Sequence, residues 1–221
     1  DRDGNTGSAK TEILHRLAAR GHQVIDLEGL ANHRGSLFGA MPGGQPGQKL
    51  FEGRLAMALE ALDPARPVLV EAESSRIGDL NLPRGIWQAI IAAPRIRLAV
   101  PVEARAAYTA QSYAEAAADP ERVAGIVNSL RPVHPAERIE GWLRLVDARD
   151  GAGLSAALMR DHYDPRYDRH RARHDDGRGR VVALGGLDDL DAAADRVEAA
   201  LAGLDWQPGA GGAAGASGGD I

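Results

Sequence analysis

Two hundred and twenty-one residues, 44% of them apolar, supply enough chain for one or two packed domains. Acids outnumber bases 31 to 26, a formal charge of −5, which excludes a uniformly basic nucleic-acid binder but leaves room for a local basic patch. The lack of cysteine excludes disulfides, thiolate metal sites and a catalytic thiol within this sequence, and no apolar run approaches the ~20 residues of a membrane span. The start, Asp-Arg-Asp-Gly, lacks the features of a signal peptide, so a cytoplasmic protein without membrane contact is expected.

Ile13, Leu14 and Leu17 predict a helix over residues 10–20, which Gly21 ends before the apolar strand HQVIDLE. Residues 30–47, rich in Gly and Pro, hold no period and read as a long mobile loop. Phe51, Leu55, Ala58, Leu59 and Leu62 then share one face of a helix over 48–62. Pro67 opens the strand PVLVEAES, and Pro83 begins a helix through Ile86, Trp87, Ile90 and Ile91. A strand over 95–101 and a helix over about 103–117 follow, and this alternation argues for a parallel sheet with right-handed crossovers. Asp119-Pro120 caps the first of three helices that form a helical insertion over 119–165, carried by Val123, Ile126, Val127 and Leu130, then Ile139, Trp142, Leu143 and Val146, then Leu154 and Leu158. After an Arg/His-rich stretch, RVVALGGL reads as the final strand, and Asp188 as the cap of a helix with Leu190, Ala194, Val197, Leu201 and Leu204. The division expected is a first α/β part over 1–118, the insertion, a 166–206 segment with the last strand and helix, and a disordered low-complexity tail over 207–221.

Gly4, Asn5, Thr6, Gly7, Ser8, Ala9, Lys10 and Thr11 match the phosphate-loop pattern GxxxxGK(S/T) except at Ala9, which replaces its second glycine. Successive backbone N–H groups and the next helix's N-terminus would surround a phosphate, Lys10 would add a charge, and Thr11 would offer its hydroxyl to magnesium. Alanine at position 9 is mild where φ is negative and costly where φ is positive; the plain alternative is a Gly-rich turn before an ordinary helix. Such a loop follows a buried strand, yet only Asp-Arg-Asp precedes it, so the first strand is expected to be missing or cut short. The fold class expected is α/β: a P-loop NTPase-like parallel sheet with flanking helices and the helical insertion.

Asp26 with Glu28, and Glu71 with Glu73, end two predicted strands, the edge of a parallel sheet where ligands collect. Acids there hold magnesium through water or orient a nucleophile, or else cap helices; Glu73 with Arg76 is the favoured functional pair. In the long loop, Arg34 is placed to clamp a phosphate, whereas His33 reads as a hydrogen-bonded loop residue. Residues 160–180 interleave Arg160, Arg166, Arg169, Arg171, Arg173, Arg178 and Arg180 with Tyr163, Tyr167, His162, His170 and His174. That pattern suits RNA phosphates and stacked bases, although aspartates 161, 164, 168, 175 and 176 also allow a solvated, salt-bridged segment.

GNTGSAKTEIL, VIDLEGLANHRGSLFG, QPGQKLFEGRLAMAL, VLVEAESSRIG with NLP, RPVHPAERIEGW and HYDPRY, in this order over about residues 4–170, resemble the P-loop domain of the tRNA 2-selenouridine synthase family. The loop motif is shared by countless nucleotide enzymes; DLEGLANHRGS and EAESSRIG are far more specific. The resemblance implies an enzyme that alkylates the wobble 2-thiouridine of tRNA on sulfur with geranyl diphosphate and then replaces the geranylthio group by selenium from selenophosphate. It implies a diphosphate or selenophosphate rather than necessarily ATP on residues 4–11, with Arg34 and Arg76 helping to hold phosphate; beside it, the reading of the residues expects Lys10, Glu73 and Arg76 to be catalytic and Thr11 to meet magnesium. It further implies contact of the tRNA anticodon arm with Arg166, Tyr167, Arg169, Arg171 and Arg173, and a partner rhodanese-like domain bearing a catalytic cysteine on the same chain. This sequence departs from the family in lacking that domain, its cysteine and the strand before the loop, so S-geranylation without selenation is expected of it. An ATP-dependent small-molecule kinase with the insertion as lid, and a non-catalytic tRNA-binding module, are the alternatives.

Overall fold

The computed structural model describes residues 2–4, 6–71, 74–112, 119–167 and 179–204. In chain order the elements are β1 (Arg2–Gly4), α1 (Lys10–Ala19), β2 (Gln23–Ile25), α2 (Leu27–Ala31), α3 (Gln48–Glu60), β3 (Val68–Val70), β4 (Arg76–Ile77), β5 (Leu80–Asn81), α4 (Arg84–Ala92), β6 (Ile96–Ala99) and α5 (Val102–Ser112). Three helices follow, α6 (Pro120–Asn128), α7 (Ala136–Asp147) and α8 (Gly151–Leu158), with a 3-10 turn at Arg131–Val133. The chain then widens into a π turn over Met159–Tyr163 before β7 (Arg180–Ala183) and α9 (Leu190–Leu201).

β6 pairs in parallel with β1, Arg2 opposite Ile96, and with β7, Ala99 opposite Ala183, giving the order β1-β6-β7. β2 and β3 form a second parallel pair, Ile25 opposite Val70, and β4 with β5 a short antiparallel hairpin. A strand therefore does precede the glycine-rich loop, three residues long, correcting the expectation of a missing one. Ile96 and Leu98 of β6, Leu69 of β3, Val182 of β7, Ile13, Leu14 and Leu17 of α1 and Val197 of α9 make one core. A second, around Phe51 and Leu55 of α3, lies between α2, the hairpin and α4; a third, around Val127, Ile139 and Trp142, lies among α6, α7 and α8. The apolar periods read in the sequence are thus what bury these helices.

Local signals differ from expectation at two points. The last helix is capped by Asp189, which accepts from the Ala192 N–H at 2.9 Å, rather than by Asp188. Residues 30–47 are pinned by side chains: Asn32 donates to the Pro42 and Gly44 carbonyls, and Gln45 donates to those of Ala31 and Ile77. A bridge between His33 and Ala40 closes the turn between them. The helix expected to reach 117 is α5, described as far as Ser112, and the tail over 207–221 lies outside the described residues. Among the described residues no helix is long and apolar enough to cross a membrane.

Candidate functional site

The loop between β1 and α1 turns through two left-handed residues, Gly7 at φ 81° and Ala9 at φ 54°. Gly7 is required twice over: its φ favours glycine, and a Cβ there would press on Thr109 Oγ1 and come within 2.7 Å of Met159 Cε. Ala9 is at the costly φ, and it also leaves α1 without a side-chain cap, so the first N–H groups of that helix have no capping side chain. Residues 6–11 wrap a cavity of about 310 Å³ that Arg34, Ser36, Glu28 and Glu71 help to line. Buried Lys10 and Arg34 share the lining of this space with the carboxylates of Glu12, Glu28 and Glu71.

Thr11, first-turn residue of α1, donates its hydroxyl towards two carboxylates, Glu71 Oε1 at 2.8 Å and Glu28 Oε2 at 3.1 Å. One hydroxyl proton serves one acceptor at a time, so the pair of acids is held around a single oxygen. Glu71, just beyond the end of β3, is buried at 3% exposure. Asp26 is a cap: it accepts from the Gly29 N–H at 2.8 Å and from His15 at 2.8 Å. Among the described residues no cluster of three or more His, Asp or Glu is arranged as a metal cage.

Lys10, Glu28, Ser36 and Glu71 also line a second cavity of about 1200 Å³. Its other walls bring together His33 and Met41 of the long loop, Arg76 and Asp79 of the hairpin, Tyr163 at the end of the insertion and Arg166 just beyond it. Arg76 is 63% exposed at the side chain and turned to its own neighbours, donating to the Gly78 carbonyl at 2.8 Å and to Asp79 at 3.1 Å. Burial lowers the pKa of His33, with Asp79 opposing; its Nδ1 accepts from the Gly35 N–H at 3.0 Å, a loop role as expected.

The insertion reaches this site through bonds that local sequence does not announce. Arg105 on α5, 3% exposed at its side chain, makes a two-pronged pair with Asp164 at 3.0 and 2.7 Å and also donates to the Thr6 carbonyl at 3.2 Å. The Tyr167 hydroxyl lies 2.9 Å from Thr6 Oγ1. Arg34 donates to the Ser112 carbonyl at 2.8 Å, joining the long loop to the end of α5.

Of the residues singled out in the sequence, the fold brings Thr6, Gly7, Ser8, Ala9, Lys10, Thr11 and Arg34 around the smaller cavity and Lys10, Arg76, Arg166 and Tyr167 around the larger. Gly4 ends β1. Asn5, Glu73, Arg169, Arg171 and Arg173 lie outside the described residues. Sequence reasoning passed over Arg105, and it named Asp164 and His162 only as members of the Arg/His-rich run, without the partners that folding gives them.

A family model described as tRNA 2-selenouridine synthase AAA domain matches residues 3–127. A tRNA 2-selenouridine synthase of Alcanivorax borkumensis is 45% identical over 112 residues, covering 50% of this chain and 30% of the relative. One of Aeromonas salmonicida is 41% identical over 112 residues, 50% of this chain and 29% of its own. One of Pseudomonas syringae pv. syringae is 33% identical over 192 residues, 74% of this chain and 51% of its own. The chain therefore spans between about a third and a half of the relatives it matches. No solved structure matches. With more than half of its residues under that family model, the chain belongs to the tRNA 2-selenouridine synthase family.

Proposed function

We propose that this chain carries the group-transfer site of a tRNA-modifying enzyme, in which residues 6–11 hold the diphosphate of geranyl diphosphate and the larger cavity admits the wobble 2-thiouridine of a tRNA anticodon arm. One observation carries this reading: an anion-sized cavity and a cavity roomy enough for a nucleotide meet over a shared floor of Lys10, Ser36, Glu28 and Glu71. A donor and an acceptor seated in the two would face each other there. The thiouridine sulfur forms a bond to C1 of the geranyl group as the C1–O bond breaks, diphosphate departs with the electron pair, and the N3 proton passes to solvent. Loop N–H groups and Lys10 stabilise the departing charge. Two carboxylates about one threonine hydroxyl are an all-oxygen donor set that suits magnesium, which Thr11, Glu28 and Glu71 would hold and which would neutralise diphosphate charge.

Replacement of the geranylthio group by selenium from selenophosphate is assigned to a rhodanese-like domain, whose thiolate this cysteine-free chain does not supply. The test gives the folded chain thiolated tRNA with geranyl diphosphate, then selenophosphate, and analyses digested nucleosides by mass. S-geranyl-2-thiouridine alone is expected; selenouridine formed without an added rhodanese-like domain would overturn this division, and tRNA-independent phosphoryl transfer from ATP would overturn the assignment itself. Lys10→Ala should weaken diphosphate binding by roughly 1.5–3 kcal/mol, the cost of one charge-assisted contact, and calorimetry with inorganic diphosphate reads it.

A further inference from the structure

Arg76 and Arg166 line the larger cavity and Arg105 is buried, and the three are held in different ways. Arg76 meets Asp79 and Arg105 meets Asp164, each guanidinium facing a carboxylate. Arg166 instead donates to a neutral ring, with its terminal nitrogen 3.2 Å from His162 Nε2. His162 follows the last residues of α8 within the π turn, is buried at 4% exposure, and is bonded at its other nitrogen as well, Nδ1 lying 2.8 Å from His134 Nε2.

The direction of these bonds follows from the donors available. A guanidinium has only N–H groups, so His162 Nε2 is an acceptor. A neutral imidazole has one N–H, which must sit on Nδ1 and donate to His134 Nε2; His134 then carries its hydrogen on Nδ1. Arg138 lies 3.5 Å from that atom and would bond it only with both rings in the opposite tautomers, which would set an N–H of His162 Nε2 against Arg166 at the shorter 3.2 Å. Protonating His162 would set an N–H against Arg166, and burial, Arg166 and His134 together push its pKa down to about 4. His134 is moved the same way by burial, Arg138 and Arg166, with Asp161 opposing. Edge-on contacts hold both rings, His134 on Trp142 at 4.9 Å and His162 on Tyr163 at 5.0 Å.

A cation oriented by an uncharged acceptor keeps its charge for something else, and Arg166 is exposed on the cavity that also takes in Lys10. We infer that His162, backed by His134, is a positioning residue that presents Arg166 to a phosphoryl group in the larger cavity, a second anion contact besides Lys10. The inference rests on reading that cavity as the acceptor compartment. The phosphoryl group belongs to the RNA chain or to the diphosphate on the loop, and the two probes below separate these sources.

The test measures binding of a 2-thiouridine anticodon stem–loop and, separately, of inorganic diphosphate to the wild-type chain and to Arg166→Ala, His162→Leu, His162→Gln and the Arg166→Ala/His162→Leu pair. Arg166→Ala and His162→Leu should each weaken one probe by about tenfold or more. The double variant should be no weaker than Arg166→Ala, and His162→Gln, whose carbonyl oxygen can stand where Nε2 stood, should bind within about twofold of wild type. Additive losses, or failure of glutamine to rescue, would overturn the positioning role; no loss of either probe in Arg166→Ala would overturn the second contact. Nitrogen NMR of labelled histidine reads the arrangement with no ligand at all: Nε2 of His162 should be unprotonated at neutral pH and should shift in Arg166→Ala, and a protonated Nε2 would overturn the proposal. Lys10→Ala, reporting on the loop alone, separates a failure of the functional reading from a failure of this one.

Discussion

The larger cavity has one wall made by strand ends and the glycine-rich loop and another made by the helical insertion, and the two are built on different principles. On the first, Lys10, Glu28 and Glu71 each stand within a residue or three of the end of a parallel strand or the start of a helix, where backbone geometry delivers them. On the second, Tyr163, Arg166 and Tyr167 leave a π turn and are steered by side chains far away in sequence, Arg105 through Asp164 and Thr6 through Tyr167. The first wall is set by secondary structure and tolerates change beyond its own residues; the second depends on a few long-range polar bonds, any of which can fail separately.

The largest effect should come from removing the bond that joins the walls. Arg105→Met leaves Asp164 and the Thr6 carbonyl without their cation, and unfolding in urea should show a loss of about 3–5 kcal/mol. Adding Asp164→Leu should recover more than half, since the uncompensated charge is then gone; a single-variant loss under about 1 kcal/mol would mean that the insertion wall stands without this pair.

Next is the acid response of the insertion wall. With a folded pKa of about 4 against the usual 6.5, His162 takes up its proton less readily folded than unfolded, so its contribution is complete above pH 6.5 and is lost as pH falls towards 4. The difference amounts to roughly 3 kcal/mol, and His162→Gln should remove that portion of the pH dependence while leaving the rest. An unchanged slope between pH 6.5 and 4 in the glutamine variant would count against a buried, neutral ring.

Gly7→Ala sharpens the contact between loop and insertion. Its methyl would have to displace Thr109 and Met159 at a φ of 81°, costing about 1–3 kcal/mol by thermal unfolding, and Met159→Ala in the same chain should return part of it. The smallest change should be Ala9→Gly. Relief of a left-handed alanine, about 1–2 kcal/mol, is offset by greater chain freedom when unfolded and by one buried methyl, for a net within about 0.5 kcal/mol of zero. A large loss would show that the methyl itself packs the loop.

Most of the strand-end wall was legible in the sequence because its signals are local. Ile13, Leu14 and Leu17 mark α1, Phe51 and Leu55 mark α3, and the acids after VLV mark a strand end. The insertion's helices were legible on the same grounds, from Val123 and Val127 through Trp142 to Leu158. β1 was not, since three residues carry too little pattern to distinguish a strand from a tail. The order in residues 32–46 was missed because Asn32 and Gln45 fix it through side-chain bonds to carbonyls, which leave no hydrophobic period. Arg105 was missed because one arginine in an alanine-rich helix looks like solvent-facing charge, and only folding brings Asp164, 59 positions on, to meet it.

The bond between Thr6 and Tyr167 closes 161 positions of chain. A ribosome adding about 5–20 residues per second needs roughly ten to thirty seconds to travel from one to the other. Throughout that interval the glycine-rich loop already exists, and its second wall does not. Between those two points the nascent chain carries an incomplete site, and only the arrival of the tyrosine-bearing turn lets the loop close against its second wall.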